Sequence, residues 1–265
     1  MRCKHCDARL AAHDIWCSNC GKQTGIINKD LASMSSLKMT WSKYLPNKGI
    51  NVPAAAFSVL LGIVPIIGLL FLLNSIGVLD LIAIQHTGKL ILNLFIISIG
   101  VSIFLPIILI SYKPVCQEPG TVIRLKSLTS NLKSYPRYFL LSLISALFFV
   151  LIYLICFGLP DFGSDPILRL VWIVLVNYFL AVFLPVPVLM ERKDLNPWAA
   201  FKMSYRFFHP VRWQLYLLAL VLTLANSLAM LLALVPLVFT LPLSWFAIRD
   251  YVDLLLEYEI IRDYK

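Results

Sequence analysis

Residues 213–248 read WQLYLLALVLTLANSLAMLLALVPLVFTLPLSWFAI, 36 positions without one Asp, Glu, Lys, Arg or His. A bilayer core about 30 Å thick is crossed by about 20 apolar residues in a helix. One straight helix of this length would extend roughly 54 Å, so the run must fold back as a hairpin. Pro236 marks the turn, because it has no N–H for the preceding helical turn. The pattern predicts one span over 213–234 and a second over 236–256, the latter continuing past Arg249 and Asp250.

Four further uncharged runs lie upstream, at 53–79, 90–112, 138–160 and 170–190, and each is long enough for one crossing. Composition agrees. The chain is 60% hydrophobic and 14% charged, with a mean hydropathy of +0.82, whereas soluble domains carry roughly 25% charged residues. The expected fold class is an all-α integral membrane bundle of six transmembrane helices, occupying residues 51–265.

Positive charge sets the expected orientation, since cytoplasmic loops collect Lys and Arg. Of the 23 basic residues, 21 fall before the first span, after spans two and four, or in the tail; only Lys89 and Arg169 lie on the other side. Both termini are therefore expected in the cytoplasm, in a multi-pass protein of a prokaryotic plasma (inner) membrane. The first thirty residues hold no apolar stretch of the kind a cleavable signal peptide needs, so the first span is expected to direct insertion. The net charge of +9 is then mainly a topology signal. Nucleic acid explains it poorly: residues 1–24 set only Arg2, Lys4, Arg9 and Lys22 against Asp7 and Asp14, without interleaved aromatics.

Residues 1–24 are of another kind. Cys3, Cys6, Cys17 and Cys20 follow C-x2-C-x10-C-x2-C, which puts two thiolates on each of two tight turns. Four such ligands suit the tetrahedral preference of Zn²⁺, and a reducing cytoplasm favours thiolates over disulfides. A peptide this short cannot fold on its apolar surface alone, and Ile15 and Trp16 are nearly its whole core. The reading is a four-cysteine zinc ribbon, closed and structural, with no open position for substrate. His5 and His13 are alternative ligands, better read as spare surface residues. Gly21 follows the second pair as a knuckle turn favours, whereas Asp7 stands at the matching place after the first. Cys116 and Cys156 stand apart from this set.

Between the spans an organisation repeats. Leu31, Met34, Leu37, Trp41 and Tyr44 recur at helical spacing within the juxtamembrane segment 25–50, as do Val122, Leu125, Leu128, Leu132 and Tyr135, and then Trp198, Phe201, Tyr205 and Phe208. Asn196-Pro197 reads as the cap and first residue of the third stripe. Three interfacial amphipathic helices are expected, lying in the headgroup plane or packing as elbows ahead of the next span. Their basic residues, Lys126, Lys133, Lys202 and Arg206, stand where anionic lipid headgroups would be. Plain anchoring is the competing account.

The stretch 196–206, NPWAAFKMSYR, followed by an aromatic-rich span and a Leu-Pro-containing sixth span, resembles the six-helix bacterial membrane proteins of the YciC type. It is also similar to the membrane domain attached to some glycerophosphodiester phosphodiesterases. The front end resembles short zinc ribbons at the N-termini of many prokaryotic membrane proteins. These resemblances imply a polytopic inner-membrane protein without a defined activity; the phosphodiesterase catalytic domain is absent from the chain.

Chemistry within the spans is sparse, because the five uncharged runs offer only amides such as Asn177 and Asn226. No catalytic set is visible, and the chain is not expected to be an enzyme. Two functions remain open. One is a membrane-anchored interaction or regulatory protein, whose zinc ribbon meets a cytoplasmic protein partner. The other is a transporter or lipid-handling protein for an apolar or lipid-like substrate, for which a cavity lined by Asn177 and Asn226 would speak.

Overall fold

The computed structural model of the protein describes residues 2–10, 17, 19–22, 24, 32–77, 87–113, 132–157, 166–232, 236–258 and 260. Helix α1 (Ser33–Tyr44) passes through a 3-10 turn (Leu45–Asn47) straight into α2 (Lys48–Ser75). There follow α3 (Thr87–Ser111), a 3-10 turn (Leu132–Ser134) leading into α4 (Tyr135–Phe157), then α5 (Pro166–Phe183), the short α6 (Val186–Arg192), α7 (Pro197–Leu231) and α8 (Leu237–Glu257). The described residues are helical apart from turns and one isolated bridge, Arg2 with Arg9.

Among the described residues, five stretches are long and apolar enough to cross a membrane: Ser33–Ser75, Ile91–Ser111, Leu132–Phe157, Pro166–Arg192 and His209–Leu231. Helix α8 is not among them, because its second half carries Arg249, Asp250 and Asp253. Helix α7 ends at Leu231 and α8 starts at Leu237 with Pro236 as its N-cap, while Leu234 and Val235 of the expected break lie outside the described residues.

Two expected elements take a different form. The run 170–190 is interrupted: α5 stops at Phe183 and α6 starts at Val186, since Pro185 and Pro187 cannot donate N–H groups to the preceding turn. The third amphipathic helix and the fifth span are one helix, α7, bent at Val211 (φ −120°, ψ 23°) just after Pro210. Asn196 does cap it, its side-chain oxygen accepting from the Ala199 N–H at 2.7 Å. This bond satisfies one of the orphan donors at the helix start.

The six long helices close into a ring. Each packs on the next along α2, α3, α4, α5, α7 and α8, and α8 returns to α2; α6 sits against α7, while α1 lies across α8 and α7. Buried apolar residues gather at one end of this ring: Tyr112 ends α3, Tyr138 and Leu141 begin α4, Val182 ends α5, and Tyr251, Val252 and Leu255 belong to the last part of α8. Toward the other end, Phe71, Leu72, Ile155, Ile167 and Leu231 are exposed. Apolar surface of this extent suits hydrocarbon, not water.

Between α2 and α3 the approach depends on glycine. A Cβ at Gly62 would overlap the Ile108 side chain, and one at Gly100 would press on Leu69 at 3.1 Å. Small residues at such crossings let helices in lipid meet closely, where dispersion contacts and not the hydrophobic effect hold them together.

Helix α1 turns a mixed side inward. Of its apolar stripe, Tyr44 is in the core and Met34 and Leu37 pack against it, while Trp41 is exposed; Ser33, Ser36 and Thr40 are buried beside them, and Leu31 lies outside the described residues. The physical reason is access to polar partners. The Ser33 N–H and Oγ both donate to Gln214 Oε1 at 3.0 Å, so α7 supplies the cap that α1 lacks in its own sequence. Small polar side chains also allow close packing on α8. In the second stripe Val122, Leu125 and Leu128 lie outside the described residues; Leu132 is exposed and Tyr135 is half-buried. In the third, Trp198 and Tyr205 are exposed, whereas Ala200 and Ser204 are buried and Ser204 Oγ donates to the Val182 carbonyl.

Candidate metal centre

The four cysteines at the N-terminus come together. One sulfur from each of Cys3, Cys6, Cys17 and Cys20 lies within 4.8 Å of all the others. Cys3 and Cys20 sulfurs are 3.7 Å apart, and those of Cys6 and Cys17 are 3.5 Å apart. Tetrahedral Zn–S bonds of about 2.3 Å would separate sulfurs by about 3.8 Å, so the residues present fit a Zn²⁺ ion.

The backbone explains why this spacing converges. Cys3-x-x-Cys6 and Cys17-x-x-Cys20 fold into two copies of one turn. In the first, the Asp7 N–H donates to the Cys3 carbonyl and the Cys3 N–H to the Ala8 carbonyl, both at 2.9 Å. In the second, the Gly21 N–H donates to the Cys17 carbonyl at 2.8 Å and the Cys17 N–H to the Lys22 carbonyl at 2.9 Å. The residue after each pair closes the turn with positive φ, 56° at Asp7 and 65° at Gly21. Asp tolerates that region better than most residues with a Cβ, which accounts for its presence where glycine is expected. Leu10 is buried with Cys3 and Cys17 and supplies the small apolar core. Ile15 and Trp16, expected in that role, and His13 lie outside the described residues; His5 is exposed, and its backbone N–H donates to the Cys3 sulfur at 3.4 Å.

Electrostatics within the cluster are uneven. The Cys6 thiol is pulled down to about 6, first by the Ala8 backbone amide and then by the Asn19 side chain. At Cys20 the Lys22 amide also favours the thiolate, but burial and the Cys6, Cys17 and Cys3 sulfurs outweigh it and push the thiol up to about 12. Four thiolates at this separation repel one another, and a divalent cation among them removes that repulsion.

The second concentration of polar groups sits at the packed end of the bundle. On α8, Arg249 donates through Nε and Nη2 to Asp250 Oδ1, at 2.9 and 2.6 Å, with only 4% and 8% of the two side chains exposed. Its guanidinium lies 4.9 Å from the centre of the Phe246 ring. Asp250 Oδ2 accepts from Thr40 of α1 at 2.8 Å. Arg192 of α6 grips Asp253 of α8 with two bonds of 3.0 and 2.7 Å. Glu191 accepts from Tyr138 of α4 at 2.9 Å and pairs with Lys113 beyond α3 at 3.6 Å. These links join α1, α4, α6 and α8, together with Lys113.

Sequence alone sets the ionisable groups outside the uncharged runs without pairing them. The available signal is adjacency: Glu191-Arg192 directly follows one uncharged run, and Arg249-Asp250 another. The expected headgroup contacts Lys133, Lys202 and Arg206 are exposed, and Lys126 lies outside the described residues. Cys156 is buried, and Cys116 is outside the described residues.

Among the described residues, Asn177 is not in the lining of the cavity that Asn226 borders. The Asn177 amide donates to the Tyr216 carbonyl at 3.3 Å, tying α5 to α7. Asn226 donates to the Leu222 carbonyl at 2.9 Å and to Ser244 Oγ of α8 at 2.8 Å, and it lines a cavity of about 330 Å³. Comparison of the chain with protein-family models, curated proteins and solved structures finds no match.

Proposed function

We propose that this protein is a membrane-anchored interaction or regulatory protein, in which a zinc-loaded ribbon of four cysteines is held at the cytoplasmic face of a prokaryotic inner membrane by a six-span bundle. The convergence of four sulfurs within 4.8 Å carries the reading, because a closed four-thiolate site suits a structural Zn²⁺ and offers no ligand position to substrate. The bundle supports it. Helix α8, at about 32 Å for 21 residues, is long enough for a sixth crossing. Its charges pair with Thr40 and Arg192 at the packed end instead of facing lipid. With an even number of crossings both termini lie on the side that the lysines and arginines mark. The resemblance of residues 196–206 to the YciC type points the same way.

In this account the ribbon offers a small rigid surface to a cytoplasmic protein, and the polar seam beneath α1 holds α1 on the bundle. A photo-crosslinking residue at Lys4 or Lys22, both exposed, tests it in native membranes. A discrete cytoplasmic protein should be captured by the parent and lost with Cys17→Ser. Equal capture by the zinc-deficient variant would overturn the reading.

A further inference from the structure

We infer that the outward face of α7 ahead of its bend binds the headgroups of anionic phospholipids, in the leaflet at the packed end of the bundle. Trp198, Lys202, Tyr205, Arg206 and His209 recur at helical spacing and are all exposed, while Ala200 and Ser204 on the opposite side are buried. Just past the bend Arg212 and Trp213 are exposed as well, the guanidinium 5.8 Å from the centre of the indole ring.

The course of the helix sets this face at headgroup depth. The Tyr216 carbonyl meets Asn177, Ser204 meets the Val182 carbonyl, and the Phe201 ring centre lies 6.2 Å from that of Phe179. About 22 Å of α7, from Phe201 to Tyr216, is thus matched to only about 8 Å of α5, from Asn177 to Val182. The segment before the bend therefore runs across α5 and not alongside it. Beyond the bend the large exposed side chains are all apolar: Leu217, Leu224, Leu228, Met230 and Leu231. The change from basic and aromatic to aliphatic falls at Arg212 and Trp213, side chains that pair an apolar body with a polar tip and suit the edge of the hydrocarbon. Trp198 and Trp213 are 67% and 72% exposed, an arrangement that water penalises and a membrane interface accommodates.

Charge selects the occupant. From Leu195 to Ile248 the chain contains no Asp or Glu, so Lys202, Arg206 and Arg212 find no carboxylate on their own helix. Carboxylates at the packed end are committed elsewhere: Glu191 to Lys113, Asp194 to Arg137, Asp250 to Arg249 and Asp253 to Arg192. Among the described residues none of the three cations has a carboxylate partner. A zwitterionic headgroup brings its own cation and leaves this excess uncancelled. An anionic headgroup cancels it, and its phosphate oxygens match the fork of an arginine.

This inference rests on the membrane part of the proposed function and not on the metal. The test uses the full chain with benzoylphenylalanine in place of Tyr205, or of Leu224 as a reference, in nanodiscs of equal parts phosphatidylglycerol and phosphatidylcholine. Mass spectrometry of the photo-adducts gives the ratio of the two lipids at each position. At Tyr205 the anionic lipid should exceed the zwitterionic one at least about fivefold, the worth of one cation at an anionic surface; at Leu224 the two should be level. Replacing Lys202, Arg206 and Arg212 together by Gln should bring Tyr205 to parity, whereas Lys202→Arg with Arg206→Lys should keep the excess. Parity at Tyr205 in the parent, with lipid adducts present at Leu224, would overturn the inference alone; absence of lipid from Leu224 would overturn the membrane reading and the inference with it. In native membranes, a polypeptide adduct at Tyr205 in place of lipid would assign the face to a protein and also overturn the inference. The comparison between positions in the parent stands even if a variant fails to fold.

Discussion

Thr40 Oγ1 donates to Asp250 Oδ2 at 2.8 Å, joining the helix that follows the cysteine cluster to the last helix of the chain across 210 residues. The same hydroxyl also lies 3.0 Å from the Ser36 carbonyl, within its own helix. Asp250 thereby balances the Arg249 guanidinium on one oxygen and α1 on the other.

A graded loss of stability follows from that arrangement. Thr40→Val keeps the shape but removes one donor to a buried carboxylate, at a cost of about 1–3 kcal/mol. Asp250→Asn strands the Arg249 charge in a site only 4% exposed, and breaking a buried pair in this way costs about 3–5 kcal/mol. Thermal unfolding of the purified protein should rank parent above Thr40→Val above Asp250→Asn. Indistinguishable midpoints for the two variants would show that Arg249 does not depend on Asp250.

The glycine crossing predicts a rescue. Gly62→Val should destabilise the contact between α2 and α3 by about 1–3 kcal/mol through overpacking, because its side chain overlaps Ile108. Adding Ile108→Ala should recover part of that loss, and the same thermal measurement reads both. Additive damage in the double variant would mean that the two positions do not meet.

At the knuckles the backbone decides. Asp7 has a φ of 56°, a region that β-branched residues avoid, so Asp7→Val should speed zinc release to a chelator about tenfold, whereas Asp7→Gly should match or slow the parent. The ion pair from Arg2 to Asp7 spans 2.7 Å, but the two side chains are 72% and 73% exposed, so its loss in Asp7→Gly should matter little. Faster release from the glycine variant would contradict this ordering.

Orientation is open to direct measurement. Thiol labelling from outside intact cells should miss cysteines placed at Ser35 and Met203 and should reach one placed at Thr87, as the distribution of basic residues requires. Outside labelling at Met203 would invert the bundle and remove the cysteine cluster from the reducing compartment.

Features that follow from local chemistry are legible in the sequence. The turn at Pro236, the Asn196 cap and the two cysteine pairs each depend on residues within a few positions of one another. What cannot be read there depends on partners far apart in the chain. The inward face of α1 includes Ser33 and Thr40 because Gln214 and Asp250 lie opposite, and no periodicity within 33–44 reveals those partners. Glu191, Arg192 and Asp253 resemble loop charges until α6 folds beside α8. The two asparagines are separated for the same reason, since Asn226 bonds to Ser244 of α8 and Asn177 to the Tyr216 carbonyl of α7.

The central claim is a closed four-sulfur zinc site at the head of a membrane bundle, and X-ray absorption at the zinc edge on the purified full-length protein tests it most directly. The account predicts one zinc per chain with four sulfur neighbours at about 2.3 Å, lost in Cys17→Ser while the bundle stays helical. A first shell containing nitrogen or oxygen, or a parent protein that binds no zinc when loaded, would contradict it.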